Sequence, residues 1–125
     1  MKLYKNFDIS KNHKRSIILI GNFDGVHVGH QKLFKLANNY KKKFNLNIGV
    51  LTFEPMPKMF FNKNIKNFRI SNIDQKNIIL KKLGVDFVIT QKFDKKFSKI
   101  KSEIFIKEIL FKKLWSYYKF YSNWT

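Results

Sequence analysis

SIILIGNFDGVHVGHQKLFKLANNY, residues Ser16 to Tyr40, is the stretch on which the fold turns. Its first five residues form a short apolar run, β-branched at Ile17, Ile18 and Ile20, that halts at Gly21. Such a run reads as a buried strand feeding a loop. From Gly29 onward, Leu33, Leu36, Ala37 and Tyr40 recur at helical spacing, with Lys32, Lys35, Asn38 and Lys41 to Lys43 mostly on the outward side. The unit is therefore strand, glycine-rich loop, helix.

Strand and helix alternate again downstream, without an internal repeat. Asn45 and Asn47 supply turn chemistry before a second strand, Ile48 to Phe53, which ends at Pro55 and Pro57. Proline has no N–H to give a ladder and so closes the strand. Ser71-x-x-Asp74 resembles a capping box opening a helix that runs to about Leu83, with Gly84 as its stop. Val85 to Thr90 is a third strand of the same apolar kind, and Ser102 is a candidate cap for a last helix with Phe105, Ile106, Ile109 and Leu110 on one side. Strands alternating with helices predict an α/β fold built on a Rossmann-like, doubly wound parallel sheet. Ligands in such sheets bind beyond the carboxyl ends of the strands, which is where Gly21 to His30 falls.

That loop has the composition of an anion site. Gly21, Gly25 and Gly29 allow tight turns and close backbone approach. The helix opening near Val28 to His30 offers unpaired N–H groups and a positive dipole end. His27 and His30 are three apart, so both imidazoles can lie on the side where a triphosphate would rest. A zinc site is poorly supported, since there is no Cys, no evident third ligand and no His-Glu-x-x-His pattern. His13, among charged residues before the first strand, reads as exposed.

A length of 125 residues fits one domain. The formal charge of +18 invites nucleic acid, but of 26 basic residues only Arg15 and Arg69 are arginines, and the lysines run from Lys2 to Lys119. Base readout and bidentate phosphate grip favour guanidinium over ammonium. Lys, Asn, Ile and Phe all have A/T-rich codons, so a coding bias accounts for the charge as well as a nucleic-acid partner would. The absence of Cys, of a signal-like start in MKLYKNFDIS and of a bilayer-length apolar run points to a cytoplasmic protein with no membrane span. Oligomeric state has no signal.

His27-Val28-Gly29-His30 matches the His-x-Gly-His signature of the nucleotidyltransferase superfamily, and the longer GNFDGVHVGHQ resembles its FAD synthetase branch, the N-terminal module of bacterial riboflavin kinase/FAD synthetases. LTFEPMPKMFF (Leu51 to Phe61), Arg69-Ile70, Gln75-Lys76, LGVDFVI (Leu83 to Ile89) and FSKIKSEIFIKEIL (Phe97 to Leu110) continue the resemblance, over roughly residues 1 to 111. It implies an FMN adenylyltransferase, in which the FMN phosphate attacks the α-phosphorus of ATP to give FAD and pyrophosphate, with Mg²⁺ bound to the ATP. By the same resemblance His27 and His30 are the catalytic pair. Gly21, Asn22, Phe23, Asp24, Gly25 and Gly29 join them at the nucleotide, and Phe53, Pro55, Phe60, Phe61 and Arg69 are candidates for the flavin side. Met56 departs from relatives, which often place a polar residue between those prolines.

Residues 1–112 are thus expected to form a partial FAD synthetase-like domain, incomplete at its C-terminus, with no riboflavin kinase domain. Residues 113–125, ending LWSYYKFYSNWT, form an aromatic tail without glycine or strand-turn signal and unlike the family. A frame break or early stop is the expected origin of that tail, and packing as a terminal helix the alternative. A sheet lacking one wall is expected to bind weakly or fold poorly. The competing readings are another His-x-Gly-His nucleotidyltransferase with a different phosphate-bearing acceptor, a basic nucleic-acid-binding module, and an inactive remnant.

Overall fold

A computed structural model of the chain describes residues 1–23, 28–54, 73–105, 107–109 and 118–121. The strands are β1 (Lys2–Tyr4), β2 (Ile17–Ile20), β3 (Ile48–Glu54), β4 (Phe87–Lys92) and β5 (Tyr118–Tyr121). The helices are α1 (Val28–Phe44), α2 (Ile73–Lys82) and two short ones, α3 (Lys95–Ser98) and α4 (Ser102–Ile104). The sheet has the order β1-β4-β3-β2-β5, and every adjacent pair is parallel.

Parallel strands are covered on both faces, which is why the apolar runs are continuous rather than alternating. All four residues of β2 are buried. Ile17 and Leu19 of β2, with Ile48 and Val50 of β3, pack against Phe34 and Ala37 of α1 and Leu80 of α2. Ile18, Ile20, Leu51 and Phe53 point the other way, against Phe7, Ile9, Phe105 and Ile109. Gly49 faces that second side for a steric reason. A Cβ there would lie 2.2 Å from the Phe87 ring of β4, its register partner.

Both long helices end as their sequences require. Gly84 sits at φ +91, its N–H bonds to Lys81 O at 3.1 Å, and the Val85 N–H bonds to Leu80 O at 3.2 Å. This is a Schellman closure, with Leu80 and Val85 both in the core beneath it. Asn45 at φ +53 plays the same part for α1, with Leu46 N–H on Lys41 O.

Several expectations are corrected. Leu36 is 42% exposed, and Phe34, one turn before Ala37, takes the core position. Asn38 and Lys41 turn inward. Asn38 donates to Phe34 O and Leu83 O, and Lys41 donates to Gly84 O and to Asp86 at 2.9 Å, tying α1 to the turn before β4. Lys101, not Ser102, stands at the N-cap of α4, with no side-chain cap bond. Helical backbone continues through Phe105 and 107–109 as π-turns, and Phe105 and Ile109 share one buried side. Ser71, the start of the expected capping box, lies outside the described residues. His13 is half-buried, stacked on Phe87 at 4.6 Å, and its Nδ1 lies 2.7 Å from the Tyr4 hydroxyl. The largest correction is at the tail, where 118–121 form neither a helix nor an appendage but β5, in register with Ile17–Ile20.

Candidate functional site

The strand order fixes where a ligand can enter. From β2 the chain crosses through α1 to β3 and through α2 to β4, always toward the same side. It then returns past them to place β5 on the opposite side of β2. The order therefore reverses at β2 and β5, and the loop leaving β2 opens at that switch point, where diverging connections leave a crevice.

At the start of the loop Gly21 N–H still bonds Leu51 O at 3.0 Å, extending the ladder one step past β2. Asn22 is buried, and Phe23 follows at φ +54 with its side chain 1% exposed. A phenylalanine in the left-handed region is strained and persists only where its surroundings hold it. Its ring is held between Phe34, at 5.3 Å, and His30, whose ring meets it edge-on at 5.1 Å. Phe23 thus serves the core and props His30, rather than offering a surface to a ligand.

His30 lies in the first turn of α1, which begins at Val28, so the predicted helix opening is where the sequence placed it. Gly29 precedes it in that turn, among the N–H groups that a helix start leaves without intrahelical partners. The Oδ1 atom of Asn22 and the Nδ1 atom of His30 are both buried. Asp24, Gly25 and His27 lie outside the described residues. So do Pro55, Phe60, Phe61 and Arg69.

Sequence reasoning missed the residue beneath this loop. Lys76 of α2 is 9% exposed, and its Nζ donates to the Asn22 carbonyl at 3.0 Å and to the Thr52 hydroxyl of β3 at 3.4 Å. A lysine at a position facing the sheet was the available signal.

On the opposite face, Phe53 is 1% exposed and lines a cleft of about 230 Å³ together with Phe93, Phe97, Ser98, Ile100, Ser102 and Phe105. Phe53, Phe93 and Phe97 pack mutually at centroid distances of 5.3 to 5.7 Å. Asp94 caps α3 through Phe97 N–H at 2.8 Å and so fixes Phe97 in this wall.

A parallel sheet whose order reverses between β2 and β5, with α1 following the loop that leaves β2, defines a Rossmann-like α/β protein. The chain belongs to the FAD synthetase family, whose model matches residues 9–118. It is 40% identical over 117 residues to the bifunctional riboflavin kinase/FMN adenylyltransferase of Buchnera aphidicola subsp. Schizaphis graminum, a match covering 91% of this chain and 37% of that protein. The Escherichia coli K12 protein of the same name is 36% identical over 98 residues, covering 78% of this chain and 31% of the relative. The chain thus spans about a third of the length of these relatives.

Among solved structures, a macrolide-efflux protein from Streptococcus pneumoniae superposes with a TM-score of 0.81 at 28% identity, over 95% of this chain and 46% of that one. A pantoate-beta-alanine ligase from Francisella tularensis shares the fold, with a TM-score of 0.52 at 21% identity over 90% of this chain and 49% of the other. Among the described residues no helix is long and apolar enough to cross a membrane.

Proposed function

We propose that the chain binds ATP at the loop leaving β2 and transfers its adenylyl group to FMN. In this reaction a phosphate oxygen of FMN bonds to the α-phosphorus of ATP, the bond from that phosphorus to the β-phosphate bridge breaks, and pyrophosphate leaves with FAD as product. No covalent enzyme intermediate is required, so the protein's work is positioning and charge stabilisation. The observation that carries the reading is the start of α1 at the switch point, with His30 in its first turn against the strained Phe23. The unpaired N–H groups of that helix start are what the reading assigns to the triphosphate, with His30 in the same turn. Gly21, Asn22 and Gly29 are the described backbone of this site, and Asp24, Gly25 and His27 complete the motif in sequence.

The acceptor reading is supported by the second face. The aromatic cleft around Phe53, Phe93, Phe97 and Phe105 offers flat apolar walls of the kind that hold a ring system such as isoalloxazine. It favours a flavin over a small aliphatic acceptor. Pro55, Phe60, Phe61 and Arg69 follow β3 in sequence and are proposed for the flavin on the resemblance alone.

Mg²⁺ would arrive with ATP. The side chains described at the loop, Asn22 and His30, are an amide and an imidazole rather than the carboxylates a hard dication prefers. The donor set therefore fits a cation held by phosphate oxygens and water, whose chemistry is to neutralise phosphate charge. With ATP and FMN as its substrates, the cytoplasm is the compartment proposed for it.

Incubation of the full chain with ATP, Mg²⁺ and FMN is expected to yield FAD and pyrophosphate, read by chromatography. His27→Ala and His30→Ala are each expected to lower the rate by about tenfold or more, as loss of a group stabilising transition-state charge does. Full rate in both variants would sink the assignment of the pair.

A further inference from the structure

Lys76 is buried, cationic and used by neither the anion site nor the aromatic cleft. Its ammonium spans the carboxyl ends of the two central strands. Among the described residues one bond goes to the Asn22 carbonyl, two residues past the end of β2, and another to Thr52, one residue past the register partner of Ile20. Burial of an ammonium is costly, and a methionine of similar length would fill the same space without that cost. A position that needed only filling has no use for the charge.

The bond to Asn22 has a geometric consequence. In a planar trans peptide the carbonyl and the next N–H point in opposite directions. Drawing the Asn22 carbonyl toward α2 therefore turns the Phe23 N–H away from it, and sets the peptide plane from which Phe23 enters its left-handed conformation at φ +54. Phe23 in turn meets the ring of His30 at 5.1 Å.

We propose that Lys76 is a positioning residue for the triphosphate site: its buried ammonium sets the backbone of the loop leaving β2, and its positive charge lies one layer beneath the phosphates. The inference rests on the nucleotide reading above. It makes the site's preference for a triphosphate over a monophosphate depend on a residue of α2 that lies outside the glycine-rich motif.

The test is calorimetric titration of the full chain with Mg²⁺-ATP and with AMP, for the parent, Lys76→Met and Lys76→Arg. Loss of one charge-assisted contact corresponds to about tenfold, so Lys76→Met is expected to weaken ATP by about that factor and AMP by much less. Lys76→Arg keeps the charge and is expected to restore most of the ATP preference. NMR of the unliganded protein should show the His30 imidazole signals displaced in the methionine variant, because the Phe23 ring beside them moves.

A purely structural lysine would lower the unfolding temperature and leave the ATP-to-AMP ratio intact. A folded Lys76→Met protein with the parent's ratio overturns the proposal. If that variant does not unfold cooperatively, Thr52→Val removes one acceptor and keeps the charge. A weakening of ATP by about threefold is then expected for the loss of this one long bond, and no change overturns the proposal. A parent chain that binds neither ATP nor FMN overturns the nucleotide reading and this inference together. A parent that binds ATP, with unaltered variants, overturns the inference alone.

Discussion

At the residue scale, His13 shows how a side chain read as exposed becomes part of the core's edge. Gly49 leaves room over the sheet for the Phe87 ring, and His13 stacks on that ring at 4.6 Å. The Tyr4 hydroxyl lies 2.7 Å from its Nδ1, and the Ser10 N–H donates to the Tyr4 oxygen at 3.2 Å. Partial burial lowers the His13 pKa below its ordinary 6.5, against an upward pull from Asp86 and with a smaller downward push from Lys2. Between the folded value and 6.5 the unfolded chain therefore binds more protons than the folded one, so stability rises with pH through that window and falls as pH drops. Thermal unfolding followed from pH 7.5 down to about pH 5 should show a loss that His13→Gln reduces. An unchanged slope in that variant would show that His13 does not carry it. Sequence could not reveal this contact, because the stack depends on a strand pairing across more than seventy residues.

At the element scale, what was legible were features whose cause is local. The strand-loop-helix unit from Ser16, the stop at Gly84 and the turn at Asn45 follow from backbone propensities and apolar spacing, and each is where it was expected. What was illegible depends on neighbours. β1 is three residues that begin with Lys2 and are followed by Lys5, and only its pairing with Phe87–Ile89 makes it a strand. Phe23 was expected at the nucleotide because it lies in a motif, and it is one of four fully buried phenylalanines, with Phe34, Phe53 and Phe87. Lys76 was legible only as part of a family resemblance, since its role depends on a carbonyl 54 residues away. Gly84 offers the clean test of a local cause. An alanine there would need φ +91 and would bring its Cβ to 2.6 Å from Asn38 Oδ1, which belongs to the side chain that joins α1 to Leu83. Gly84→Ala is expected to cost on the order of 1–3 kcal/mol of stability through the left-handed backbone alone. Denaturant unfolding measures it, and a change within about 0.5 kcal/mol, the usual range of a neutral surface substitution, would contradict the account.

At the scale of the whole molecule, β5 decides whether the site has two flanks or one. A strand that carries a ligand loop in a doubly wound sheet is central, with its backbone donors and acceptors satisfied on both sides. Without β5, β2 would be an edge whose unpaired N–H and C=O groups invite association with other chains. The switch point would also disappear, since it exists only because the strand order reverses between β2 and β5. The tail carries no glycine or turn signal to announce a strand, but Tyr118, Phe120 and Tyr121 are aromatic residues suited to one, and Ile17–Ile20 supplies the partner. A chain stopped after Lys112 therefore tests the architecture directly. It retains every motif residue from Gly21 to His30, along with α1, α2 and the aromatic cleft, and among the described residues it loses β5, the outer flank of β2. The expected result is a shift to higher-order species in size-exclusion chromatography, a broadened and lowered thermal transition, and ATP binding weakened in step. If the shortened chain stays monodisperse where the parent does, and binds ATP as tightly, then β5 is an accessory and the site is complete on the β3 side alone.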